Sequence, residues 1–111
     1  MDLVNELNNL IKKLDISVKS LRNTGSDYAK AYTDYRVALA KELVRLKDDG
    51  MAVTIAYDVA RGKPEIAKLK FNEIATEAVY KANQEAINST KLQIKIIQEQ
   101  LNKEYSSDLP N

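Results

Sequence analysis

Glu73 and Glu77 stand one helical turn apart and could share a proton or a divalent cation, as paired carboxylates do. No second pair at matching spacing accompanies them, and the chain has no His, Cys or Trp. A Cys/His zinc site, a thiol nucleophile and a Ser-His-Asp triad are therefore excluded. The two glutamates read as a solvated helix face. Asp48-Asp49-Gly50 resembles a fragment of a calcium loop, but it lacks the alternate acidic positions and the terminal Glu. It reads better as a helix end. No catalytic residue, metal or cofactor is assigned, and the chain is expected not to be an enzyme.

Binding chemistry has more to draw on. Arg45, Lys47, Arg61, Lys63, Lys68 and Lys70 gather near the middle of the sequence, diluted by Asp48, Asp49, Asp58 and Glu65. They could contact phosphate, although long cationic side chains also serve to cover helix surface. Tyr28, Tyr32 and Tyr35 could stack bases, but their spacing favours core packing. The segment Val53 to Ala60 resembles the first helix of a helix-turn-helix reader. A short recognition helix should follow it, and Gly62-Lys63-Pro64 opens a long helix instead.

These side chains sit in 111 residues carrying 17 Lys+Arg and 16 Asp+Glu. A net charge of +1 argues against a chain built mainly to neutralise phosphate. No apolar run approaches the roughly 18 residues of a spanning helix. The acidic start, Met1-Asp2, predicts no secretory leader. A cytoplasmic protein, without a membrane, is expected.

Three glycines and two prolines against 44% apolar and 30% charged residues point to helix throughout. The predicted fold class is all-α, a long antiparallel helical hairpin with a short helix at its tip. A single domain over 1–105 would hold helices at about 2–48, 54–61 and 64–105, with a flexible tail at 106–111. Asp2 is the expected N-cap, Gly50 the left-handed C′ residue, Thr54 the cap of the short helix, and Pro64 the first-turn residue of the last. Asn23 to Asp27 could form a turn. Continuity through Gly25 is favoured because a stripe keeps phase across it: Leu3, Leu7, Leu10, Leu14, Val18 and Leu21, then Tyr28, Tyr32, Tyr35, Leu39, Leu43 and Leu46.

At 100° per residue the last helix has two apolar faces. Ala67, Phe71, Ile74, Ala78, Ala82, Ser89, Leu92 and Ile96 fall within about 80° of one another. Leu69, Tyr80, Ile87, Ile94, Ile97, Leu101 and Tyr105 form a band about 140–260° away from Leu92. The first face, small in its middle, is expected to pack on the first helix, with Gly25 near Ala82 and Ala86. The second then needs another copy, giving a coiled-coil or four-helix-bundle oligomer, with Asn72, Asn83, Asn88 and Thr90 available to fix register; the alternative is a three-helix monomer, broken at Gly25, that covers both faces itself. A helix of about 46 residues would be about 70 Å long, and a two-helix rod buries little core per residue.

Tyr35-Arg36-Val37-Ala38-Leu39-Ala40-Lys41-Glu42, then Asp58-Val59-Ala60-Arg61-Gly62, then Glu85-Ala86-Ile87-Asn88 and Lys91-Leu92-Gln93-Ile94 carry a resemblance. The chain resembles, over roughly Tyr35 to Tyr105, a family of small helical proteins of phages and prophages of low-GC Gram-positive bacteria. The resemblance implies an early phage protein, an accessory factor in phage DNA replication or recombination or one that captures a host protein. It carries over no functional residue. The small secreted helical hairpins with a Trp-x-Gly turn do not fit, because the chain has no Trp and Leu109 stands where their tail needs an acid. The expectation is a non-enzymatic protein-interaction module, homo-oligomeric, with an unidentified viral or host protein partner. The alternative is nucleic-acid binding by the basic tip.

Overall fold

The computed structural model describes residues 2–108. They form three helices, α1 (Leu3–Asp48), α2 (Val53–Gly62) and α3 (Pro64–Asp108), and among the described residues there is no strand. The start of α1 is capped by Asp2, whose carboxylate accepts the Val4 N–H at 2.9 Å and the Asn5 N–H at 3.5 Å. Its end is a Schellman turn. Gly50 takes φ +88° and donates to the Lys47 carbonyl at 3.0 Å, while the Met51 N–H reaches the Leu46 carbonyl at 3.1 Å. Met51 packs on the core that contains Leu46, the apolar contact that accompanies such turns.

The short helix α2 begins one residue before Thr54. Ala52, in extended conformation, is its N-cap and supplies no side-chain hydrogen bond, so the expected threonine cap is not formed. Ala56 and Ala60, both fully buried, are what hold this helix against its neighbours. Lys63 is extended, as a residue before proline prefers to be, and its carbonyl accepts the N–H groups of Ile66 and Ala67 to open α3. At its far end α3 runs to Asp108, so Ser106 to Asp108 are helical where the sequence reading placed a tail. The rest of that tail, 109–111, lies outside the described residues.

Where the sequence suggested one domain, contacts group the chain into two compact units. One joins the stretch up to Asn23 to the stretch from Lys81 onward; the other is Thr24–Tyr80. In the second unit α1 and α3 run antiparallel, with Tyr28 beside Tyr80 and Glu42 beside Lys63. Tyr35, Leu46, Ala56, Ala60 and Ile66 form its core, and Leu39, Leu43 and Leu69 pack on it. Helix α1 passes through Gly25 unbroken. The close approach there is to the Tyr80 ring rather than to Ala82 or Ala86: a Cβ on Gly25 would lie 3.1 Å from Tyr80 Cε1.

In the first unit the two segments are again antiparallel, with Ser17 opposite Asn83 and Glu6 beside Ile97. Ile87, Thr90 and Ile97 are buried in this unit, and Leu3, Leu7, Leu10, Leu14 and Leu21 are half-buried. The Asn83 side-chain amide donates to the Ser17 carbonyl at 2.9 Å. Asn83 thus sets register inside this unit, where Thr90 is buried, while Asn72 and Asn88 are exposed.

Candidate functional site

The burial pattern reverses the expected roles of the two α3 faces. Of the predicted oligomer surface, Ile87 and Ile97 are buried within the first unit, where Ile94 and Leu101 are half-buried. Leu69 and Tyr80 are half-buried within the second unit, and only Tyr105 is well exposed. These residues are therefore already covered by the chain itself. The face expected to pack inward points out: Phe71 is 69% exposed, Ile74 58%, Leu92 59% and Ile96 47%.

The reason lies in the spacing of the inward positions. In the second unit they are Ile66, Leu69, Glu73, Thr76 and Tyr80; in the first, Asn83, Ile87, Thr90, Ile94, Ile97 and Leu101. Their steps alternate between three and four, an average of about 3.5, which keeps a seam facing an antiparallel neighbour turn after turn. The partner positions on α1 do the same: Leu3, Leu7, Leu10, Leu14, Ser17 and Leu21 in one unit, then Thr24, Tyr28, Ala31, Tyr35, Ala38 and Glu42 in the other. Val18 and Tyr32, assigned to the stripe by sequence, fall off this repeat and are exposed.

Two carboxylates occupy seam positions of the second unit, and each has a cation. Glu73 is buried and takes Lys70 at 3.1 Å. Glu42 is buried and takes Arg45 Nη2 at 2.6 Å, Arg45 Nε at 3.2 Å and Lys63 at 3.1 Å. The Arg45 guanidinium, assisted by Lys63 and opposed by burial, holds the Glu42 carboxyl at about 2 instead of its ordinary 4.5. Arg45 also reaches Asp49 at 3.3 Å.

The basic tip is accordingly not one free cationic surface. Arg45, Lys63 and Lys70 are held by carboxylates, and Arg61 lies over the Tyr57 ring at 5.2 Å. Lys47 and Lys68 are exposed and form no ion pair among the described residues. Glu73 and Glu77 have different partners, Lys70 for the first and Tyr28 for the second. Glu77 accepts a hydrogen bond from the Tyr28 hydroxyl, which with burial raises that phenol above its ordinary value. No group of three metal-ligating side chains occurs among the described residues.

The tyrosines divide by position. Tyr28 meets Tyr80 at 6.0 Å and Tyr32 at 6.3 Å, and Tyr35 is buried in the core. Three cations lie over rings in this unit: Arg36 over Tyr32 at 5.8 Å, Arg61 over Tyr57 at 5.2 Å and Lys70 over Tyr35 at 4.8 Å. Sequence reading missed Arg36 and Tyr57, although Tyr32–Arg36 and Tyr57–Arg61 have the four-residue spacing that brings side chains together on a helix. Between α1 and α2, Tyr35, Arg36, Leu39, Leu43, Tyr57 and Arg61 line an open cleft of about 400 Å³.

No described helix is long and apolar enough to cross a membrane. Compared with known proteins, the chain matches no family model, no curated protein and no solved structure.

Proposed function

We propose that the chain is a non-enzymatic helical interaction module that associates with a second copy of itself through the outward stripe of α3. The observation that carries this reading is the exposure of Phe71 and Ile74 on one stripe with Ala67 and Ala78. Their steps of four, three and four place them on one side of the helix, well away from the Ile66–Leu69–Glu73 seam. Large side chains flanked by small ones give the knobs and holes that a coiled-coil partner fills. The first unit repeats the arrangement with Ser89, Leu92 and Ile96, all exposed. Scattered exposed apolar residues need no explanation, but a row at helical spacing marks an interaction face.

The association proposed from sequence is thus kept and its surface moved. Covering Phe71 and Ile74 in one unit, and Leu92 and Ile96 in the other, adds apolar burial that each small unit lacks on its own. The resemblance to phage and prophage proteins supports an accessory role in phage DNA replication or recombination, or capture of a host protein by the assembled module. Light scattering on the full chain across micromolar concentrations tests the reading. A mass of at least twice the chain supports it, and a monomer throughout overturns it.

A further inference from the structure

The cleft between α1 and α2 is distinct from the outward stripe of α3, and its chemistry is different. Its floor is apolar, made by Leu39 and Leu43 with the buried ring of Tyr35. Its rim carries Arg36, Arg61 and the partly exposed Tyr57. Both arginines are exposed, and neither forms an ion pair among the described residues, unlike nearby Arg45, Lys63 and Lys70. Each guanidinium lies over a tyrosine, Arg36 over Tyr32 and Arg61 over Tyr57. Stacking of this kind satisfies the face of a guanidinium and leaves its N–H edge able to grip an oxyanion in bidentate fashion. Lys70, over Tyr35, lines the adjoining cleft that shares Tyr35 and Arg61.

An apolar floor with unneutralised forks at its rim suits a ligand that is planar and apolar at one end and anionic at the other. A bare inorganic anion would leave the floor unfilled, and a plain hydrocarbon would leave the arginines unmet. We propose that this cleft binds a nucleotide unit, its phosphate met by Arg36 and Arg61 and its base laid against Tyr57 and the Leu39–Leu43 floor. The unit could be presented by a single strand or as a free nucleotide; aromatic platforms with flanking cations serve both.

The test uses the full chain and a fluorescently labelled 12-nucleotide thymidine strand, followed by anisotropy at several salt concentrations. Binding should weaken as salt rises, with the logarithmic salt slope shrinking by about 0.7 for each of Arg36→Gln and Arg61→Gln. Tyr57→Ala should weaken binding about tenfold, whereas Tyr57→Phe, which keeps the ring, should retain it. Lys12→Gln, on an exposed lysine of the other unit, should leave affinity unchanged within about twofold. Circular dichroism of each variant confirms that helix content is retained. Thymidine monophosphate that displaces the strand identifies a site for free nucleotide, while strand binding without displacement identifies a strand site; either supports the proposal. It is overturned if neither probe binds at low salt, if Lys12→Gln is as damaging as Arg36→Gln, or if polyglutamate binds and the nucleotides do not.

Discussion

The Lys63 ammonium lies 3.1 Å from Glu42 Oε2, joining residues 21 positions apart in sequence. It ties α1 to the junction where α2 gives way to α3. Arg45 grips the same carboxylate from within α1. A carboxylate at a buried seam position is costly unless paired, and these two cations supply the pairing.

That pairing makes stability acid-sensitive in a defined window. The folded carboxyl titrates near 2 and the ordinary value is 4.5. The unfolded chain therefore binds the proton first as pH falls. The contribution of Glu42 is complete above pH 4.5 and is lost progressively as pH drops toward 2. Urea denaturation of Glu42→Gln should show lower stability at pH 7 and a shallower decline between pH 5 and 2 than the parent chain. An unchanged pH profile would contradict the pairing.

Neighbouring isoleucines provide a direct comparison of the two α3 faces. Ile97 is buried and Ile96 is 47% exposed. Ile97→Ala should cost about 2–5 kcal/mol, the range for truncating a buried aliphatic side chain. Ile96→Ala should cost less than about 1 kcal/mol at the lowest concentration that circular dichroism allows. Equal losses, or the reverse order, would restore the face assignment read from sequence.

Gly50 turns the chain at φ +88°, a conformation that a Cβ disfavours. There is open space around it, so the penalty of Gly50→Ala is one of backbone conformation alone. The expected loss is about 1–2 kcal/mol, measured by thermal or urea unfolding.

Gly25 presents the opposite case, with helical backbone and a near neighbour. Alanine gains about 0.8–1.0 kcal/mol over glycine in a helix interior, but its Cβ would stand 3.1 Å from the Tyr80 ring. Gly25→Ala alone should recover less than that gain. In a Tyr80→Ala background the same substitution should recover all of it, a non-additivity that a double-mutant cycle reads directly.

Punctuation made the three helices legible in the sequence. Asp2 caps α1, Gly50 ends it and Pro64 opens α3 where residue type predicts. Facing was not legible. Apolar periodicity finds most of the inward seam of α3 (Leu69, Tyr80, Ile87, Ile94, Ile97 and Leu101), but the interleaved Glu73, Thr76, Asn83 and Thr90 disguise which way it faces. The outward stripe is nearly as apolar, and its alanines invited the inference of close packing. Ile66, Ile87 and Ile97 are buried instead, although Phe71, Ile74, Leu92 and Ile96 on the outward stripe are as large. The cleft at Tyr35 escaped for another reason. Its rim joins Arg36 on α1 to Tyr57 on α2, and no spacing within one helix reveals that meeting.

The central claim, association through the outward stripe of α3, is tested most directly by sedimentation velocity on the parent chain and on Phe71→Glu and Leu92→Glu, each in a different unit. At micromolar concentration the parent chain should sediment as a dimer or larger. At least one variant should sediment as a monomer with helix content unchanged. A parent chain that sediments as a monomer, or an oligomer that both variants leave intact, would contradict the account.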